Sequence, residues 1–131
     1  MGSTSAPAFP WDSRVPRPAS FNAGAVWTDE HLLAEVKVGV QAVFGSRLDK
    51  ILLYGSRARG DAEPDSDYDI AVSLRGIADP LRDAEALADL ATALIYRSGG
   101  KVVSFAVFAP EQLDAPGALT VANIRREGRL L

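Results

Sequence analysis

Asp67 and Asp69 are separated by one residue and begin a segment in which apolar and polar residues alternate. In an extended strand, residues i and i+2 project from the same face, with Cα atoms about 6.6 Å apart. Two like charges at this distance repel, and Mg²⁺ removes the repulsion because it binds carboxylate oxygens and keeps positions for water and phosphate oxygens. Two metal ions about 4 Å apart can hold the attacking and leaving oxygens of a phosphoryl transfer. The pair therefore predicts a metal site for phosphate chemistry.

A turn suited to phosphate binding precedes this pair, and ten residues separate Ser56 from Asp67. Gly55 allows a backbone to approach a phosphate closely. Ser56 offers a hydroxyl and an N–H group, and Arg57 and Arg59 offer guanidinium groups that match phosphate oxygens. These four residues are the predicted nucleotide-binding residues.

The elements that must position these groups are two neighbouring strands. The apolar run 51–54 predicts a strand covered on both faces, and 68–74 alternates at period two, as expected for the next strand. The connection is too short for an ordinary parallel crossover, so the two strands must be antiparallel.

The rest of the pattern predicts an α/β fold with a small mixed sheet and flanking helices. Thr28 is a predicted helix cap and Gly45 a helix end. Further along, Pro110 and Pro116 bracket a predicted loop. The predicted helices cover 28–44, 79–97 and 119–127, and a third strand covers 101–108.

Composition narrows the class of protein. The 131 residues suit one domain, and the absence of cysteine excludes a disulfide scaffold, a zinc finger and thiol catalysis. Neither a membrane-length apolar run nor an apolar block behind a basic start is present, so we expect a soluble, cytoplasmic protein without membrane attachment. The net charge of -3 argues against generic nucleic-acid binding.

Residues 1–27 differ from the remainder of the chain because they are rich in proline and lack periodicity. We predict an extended arm over 1–27 and the folded domain over 28–131. The arm carries Trp11 and Trp27, so it either lies over its own domain or binds a partner.

A Gly-Ser pair at a strand end, ten residues, and Asp-x-Asp at the start of the next strand resemble the signature of the DNA polymerase beta-like nucleotidyltransferase superfamily. Over about residues 30–131, including the tail from Ile124 to Gly128, the chain is similar to the minimal nucleotidyltransferases. That resemblance implies that Ser56 holds the triphosphate of ATP or another NTP, and that Asp67 and Asp69 bind two Mg²⁺ ions. It also implies a HEPN-like toxin partner, to which AMP is transferred in some pairs.

One part of the superfamily pattern is missing. A third carboxylate usually lies on a later strand, but 101–108 contains no acid, and Val102 or Ser104 occupies that place. The second metal site should therefore be weakened. Asp61, Glu63 and Asp65 are possible replacements, with Asp65 the best placed, although a solvated turn around Pro64 explains all three.

Three functions remain open on these residues. The first is nucleotidyl transfer to a protein hydroxyl, with Asp67 and Asp69 catalytic. The second is an antitoxin-like binding module that keeps the nucleotide cleft with little or no catalysis. The third is modification of a small molecule, which the resembling enzymes perform with an additional acceptor-binding domain.

The remaining polar and aromatic residues have simpler interpretations. His31 is read as a surface residue, and Tyr54 and Tyr68 as packing residues. The basic residues Arg125, Arg126 and Arg129 form a solvated face, border the substrate cleft or meet an acidic partner.

Overall fold

A computed structural model describes residues 26–115 and 117–131. The sheet within these residues has four strands in the order β3-β2-β1-β4. The strands are β1 (Leu48–Tyr54), β2 (Tyr68–Leu74), β3 (Val103–Phe108) and β4 (Arg129–Leu130), and the helices are α1 (Asp29–Phe44), α2 (Ser56–Arg59), α3 (Pro80–Ser98), α4 (Pro110–Asp114) and α5 (Leu119–Glu127). The predicted α/β class with a small mixed sheet is confirmed. The predicted arm, apart from its last two residues, lies outside the described residues.

The central pair of strands has the predicted direction. β1 and β2 are antiparallel, and Leu53 pairs with Ile70 while Tyr54 pairs with Asp69. Leu53 packs against the main core, whereas Leu52 and Tyr54 pack on the opposite face of the sheet. β1 is therefore covered on both faces, which explains its continuous apolar sequence.

β3 lies parallel to β2 on the other side, and α3 forms the crossover between them. The side chain of Asp79 caps α3 by accepting from the Arg82 N–H group at 3.2 Å, and Pro80 occupies the first turn. Gly99 ends the helix in the left-handed conformation at φ 83°. This crossover returns the chain so that β3 starts beside the start of β2.

The two faces of the sheet are covered unequally. The main core lies between the sheet and helices α1 and α3, and the four alternate residues of β2, Tyr68, Ile70, Val72 and Leu74, are all buried in it. On the other face, Ala71 packs in a small cluster with Leu113 of α4 and Ile124 of α5. The alternation predicted for β2 is confirmed, and the face that carries Asp69 is covered only where α4 and α5 reach.

The prediction of a loop between Pro110 and Pro116 was wrong for the residues that form α4. Pro110 occupies the first turn of this helix, and the Gln112 side chain accepts from the Ala109 N–H group at 2.7 Å. The helix has five residues, which is too short for a helical period to be visible in the sequence. The short strand β4 was also not predicted, because it is too short for an alternating pattern to be visible in the sequence.

α1 begins where the capping pattern predicted, because the Thr28 hydroxyl oxygen accepts from the His31 N–H group at 3.1 Å. The core extends one residue before the predicted domain boundary. Trp27 is buried, and its backbone N–H group donates to the Ser98 carbonyl at 3.0 Å. Its ring stacks on that of His31, with the ring centroids 4.2 Å apart. The exposed His31 thus has a packing role at the surface. No helix among the described residues is long and apolar enough to span a membrane.

The burial of Trp27 generates a stability prediction. Replacing a buried Trp with Ala removes a large apolar contact area and leaves a cavity, so Trp27→Ala should lower the free energy of unfolding by about 3 kcal/mol. Val26→Ala is the matched control, because Val26 is 65% exposed and should change stability by less than about 0.5 kcal/mol. Urea unfolding followed by circular dichroism measures both variants, and equal losses would contradict the placement of Trp27 in the core.

Candidate active site

The candidate site lies where β1 ends beside the start of β2. Gly55 follows β1 directly and has φ 77°, a conformation that L side chains rarely adopt. A Cβ atom on Gly55 would lie 2.3 Å from Oδ2 of Asp69, which is far inside contact distance. The structure thus brings the predicted glycine–serine turn (Gly55 and Ser56) into direct contact with one of the two predicted metal-binding carboxylates.

The two aspartates interact electrostatically. Asp69 lies in β2 and is half-buried, whereas Asp67 precedes the strand and is exposed. Burial raises the pKa of Asp69, the negative charge of Asp67 raises it further, and the positive charge of Arg59 acts in the opposite direction. This unfavourable pairing of carboxylates fits a site that binds a divalent cation, because the cation would relieve both the repulsion and the cost of burial.

Arg57 was predicted to bind phosphate, but it contacts the loop that leads to Asp67. Its Nε and Nη2 atoms donate to the Ser66 carbonyl at 3.2 and 2.9 Å, and Nη2 also donates to the Pro64 carbonyl at 3.0 Å. Its guanidinium carbon lies 4.2 Å from the centroid of the Tyr68 ring. Arg57 therefore fixes the backbone immediately before Asp67, an effect on the site that the sequence did not reveal.

The Arg57 guanidinium also belongs to a cluster of polar and charged side chains next to the loop that leads to Asp67. The Tyr68 hydroxyl donates to the Asp29 carboxylate, Lys101 Nζ donates to the Tyr68 hydroxyl oxygen at 3.2 Å, and Asp29 lies 3.8 Å from Arg57. The hydrogen bond from Tyr68, together with the charges of Arg57 and Lys101, holds the pKa of Asp29 below its usual range. Burial and the bond to Asp29 raise the pKa of Tyr68. Tyr68 thus packs as predicted, and it also links the start of α1 to the start of β2.

Arg59, the other predicted phosphate-binding arginine, is held by two carboxylates. Its Nε donates to Asp61 at 3.2 Å and its Nη1 to Glu127 Oε1 at 3.1 Å. The same Glu127 oxygen accepts from the Gly55 N–H group at 3.1 Å. Glu127 is thus a site residue that sequence reasoning missed. The only signal was its place in the tail that resembles minimal nucleotidyltransferases.

Ser104, one of the two residues predicted at the place of the third carboxylate, lies beside Asp69. In the parallel pairing of β2 and β3, Ser104 lies in register with Asp69, so both side chains project from the same face. Val102 precedes β3, and its carbonyl accepts from the Tyr68 N–H group at 2.9 Å. Among residues 26–115 and 117–131, no group of three or more His, Asp or Glu side chains could hold a metal ion. Asp61, Glu63 and Asp65 therefore do not complete such a group with Asp67 and Asp69.

The candidate site thus combines an antiparallel strand pair, a glycine–serine turn and two neighbouring aspartates. The chain matches the family described as polymerase beta, nucleotidyltransferase over residues 44–114. This match covers more than half of the chain, which therefore belongs to that family. The chain has no match among curated protein sequences.

Similar solved structures agree with this assignment. One is a crystal structure of a toxin-antitoxin with AMP-PNP, at a TM-score of 0.53 and 21% identity, covering 79% of this chain and 72% of that chain. Another is a mutant of the toxin-antitoxin MntA-HpeT with two Asp-to-Glu substitutions, at a TM-score of 0.50 and 17% identity, covering 79% and 71%. These likenesses show a shared fold, and the predicted resemblance to the DNA polymerase beta-like nucleotidyltransferases is confirmed by the family match.

The strained carboxylate pair generates a prediction about stability and pH. Because the pKa of Asp69 is raised, the folded state holds this proton more tightly than the unfolded chain, and stability falls as the pH rises through that pKa. In metal-free buffer at pH 7, Asp69→Asn should therefore raise the free energy of unfolding by roughly 0.5 kcal/mol, a value kept small because the carboxylate is partly solvated. The gain should vanish as the pH falls below the raised pKa.

Urea unfolding between pH 3 and pH 8 measures this difference. Asp89→Asn is the matched control, because Asp89 is exposed on α3 and away from the carboxylate pair. A loss of stability in Asp69→Asn at pH 7, or a gain independent of pH, would contradict the unfavourable placement of this carboxylate.

Proposed function

We propose that the chain is a Mg²⁺-dependent nucleotidyltransferase that transfers a nucleoside monophosphate, AMP from ATP, to a hydroxyl on a HEPN-like toxin partner. The single observation that carries this proposal is the contact between Gly55 and Asp69, with the charge of Asp67 acting on the same carboxylate. Membership of the nucleotidyltransferase family supports the reaction class.

Each site residue has a role in this proposal. Asp67 and Asp69 would hold Mg²⁺, which when bound neutralises phosphate charge. Ser56 offers its hydroxyl to the triphosphate beside the glycine whose missing side chain leaves room for Asp69. Arg57 holds the loop before Asp67 through its bond to the Ser66 carbonyl. Arg59 places a positive charge near Asp69. The proposed nucleotide-binding set remains Gly55, Ser56, Arg57 and Arg59, of which Arg57 also holds the loop before Asp67.

The nature of the partner rests on the neighbouring structures. The two described above are toxin-antitoxin structures, and one of them was solved with AMP-PNP. We place the reaction in the cytoplasm, where ATP and a toxin partner would meet.

A second candidate function is an antitoxin-like binding module that keeps the cleft but has little catalysis. The observation that favours it is Ser104 in register with Asp69, because a neutral hydroxyl is a poor metal ligand and a poor base. The loss of one ligand weakens a purely protein-bound metal more than a metal that also binds triphosphate oxygens. Nucleotide binding would therefore survive better than transfer.

The enzyme and the module are separated by a labelling experiment. The protein is incubated with Mg²⁺, ATP labelled at the α-phosphate and the product of its neighbouring gene. The proposal expects label on the partner, and Asp67→Asn should reduce the labelling rate by roughly a hundredfold or more, since electrostatic stabilisation of the transferred group is lost.

Asp89→Asn is the control, because it removes one carboxylate from the exposed surface of α3. Partner binding without label, unchanged in Asp67→Asn, would favour the module. Absence of both labelling and partner binding would contradict the two functions together.

Restoring the missing acid gives a further prediction. Ser104→Asp places a carboxylate beside Asp69 on the same face, at an exposed position that tolerates the change. The labelling rate at saturating Mg²⁺ should rise roughly tenfold or more, because a metal ligand and a proton acceptor are regained. Ser104→Asn provides the uncharged control of the same size, and an equal effect of the two variants would show that the third acid does not limit transfer.

A further inference from the structure

The C-terminal end of the chain contacts the site through one side chain. Glu127 lies in the last turn of α5, and its side chain is 11% exposed. Its Oε1 atom accepts from the Gly55 N–H group and from Arg59, each at 3.1 Å. A single carboxylate oxygen of a half-buried side chain therefore joins the backbone of the glycine–serine turn to the guanidinium of Arg59.

The backbone on both sides of Glu127 is fixed. The Gly128 N–H group donates to the Ile124 carbonyl at 2.8 Å, and a Cβ atom on Gly128 would lie 2.3 Å from that carbonyl oxygen. β4 then pairs with the outer edge of β1, and the Leu131 N–H group donates to the Ile51 carbonyl at 2.9 Å. The carboxylate is thus delivered to Gly55 by a tail that is itself bonded to the strand leading to Gly55.

The charges around Arg59 give this contact a consequence for the site. Arg59 is one of the proposed nucleotide-binding residues, and its guanidinium is held by Asp61 at 3.2 Å and by Glu127 at 3.1 Å. If Glu127 were removed, Asp61 alone would hold this guanidinium, and the tail would no longer fix its position beside the glycine–serine turn.

We propose that Glu127 is a positioning residue of the nucleotide site, which fixes both the N–H group of Gly55 and the guanidinium of Arg59. This inference rests on the proposed function for its effect on nucleotide, whereas its effect on the turn does not depend on nucleotide. Glu127→Ala removes both contacts. Glu127→Gln keeps an acceptor oxygen for the Gly55 N–H group and loses only the charge that holds Arg59.

The first measurement needs no nucleotide. Amide hydrogen exchange is followed by NMR in the full chain for the wild type, Glu127→Ala, Glu127→Gln and the control Glu85→Ala, which alters an exposed residue of α3. The Gly55 amide should exchange roughly tenfold faster in Glu127→Ala and close to the wild-type rate in Glu127→Gln. The Ile70 amide in the core should be unchanged in all four proteins, which separates a local effect from unfolding.

The second measurement is the dissociation constant for Mg²⁺-ATP by isothermal titration calorimetry. We expect about tenfold weaker binding for Glu127→Ala, an intermediate value for Glu127→Gln and no change for Glu85→Ala. Unchanged exchange at Gly55 in Glu127→Ala would overturn the inference. Faster exchange with unchanged or tighter Mg²⁺-ATP binding would also overturn it, because Glu127 would then brace the tail or obstruct the nucleotide.

The two proposals fail in different ways. If the wild type does not bind Mg²⁺-ATP, the proposed function is wrong, and the exchange rates alone decide whether Glu127 holds the turn. If the wild type binds and the Glu127 variants do not differ from Glu85→Ala, the proposed function stands and the inference is wrong.

Discussion

The site depends on a contact that leaves no room for a side chain. Oδ2 of Asp69 occupies the space where any residue other than glycine at position 55 would place its Cβ atom. The antiparallel register sets this contact, because Tyr54 pairs with Asp69 and the next residue must turn away from β2. A half-buried carboxylate is thereby held against the turn, next to a second carboxylate, although both features raise its pKa. The placement of Asp69 therefore lowers the stability of the folded chain, and a bound cation would favour the same arrangement.

The arginines show how this arrangement is kept in place. Arg57 bonds the carbonyls before Asp67, and Arg59 bonds the carboxylates of Asp61 and Glu127. Both guanidinium groups are bonded within the chain and therefore belong to the framework of the site. Under the proposed function, a triphosphate would be met by Ser56, by a cation on the aspartates and by the charge of Arg59.

The sequence predicted those parts of the site that lie close together along the chain. Gly55, Ser56, Asp67 and Asp69 fall within one strand-turn-strand unit, and the period-two alternation of β2 predicted its buried face. The partners that hold this unit come from distant segments. Asp29 is 39 residues from Tyr68, and Glu127 is 72 residues from Gly55. Only the folded chain brings them together. Asp29 lies in the first turn of α1, where the helix dipole already explains a carboxylate, whereas Glu127 lies in the last turn of α5, where the dipole disfavours a carboxylate and gives no indication of its partners.

The position of Ser104 determines the charge at the centre of the candidate site. It lies beside Asp69 on the same face of the sheet, so a neutral hydroxyl is present where β3 comes closest to that carboxylate. The negative charge of Asp67 and burial both raise the pKa of Asp69, and under the proposed function triphosphate oxygens would complete the shell of a metal shared by the two aspartates. A metal without phosphate ligands would have no such help, and the Ser104 hydroxyl would be a poor proton acceptor. The proposed function therefore expects nucleotide binding to tolerate the serine at this position better than transfer does.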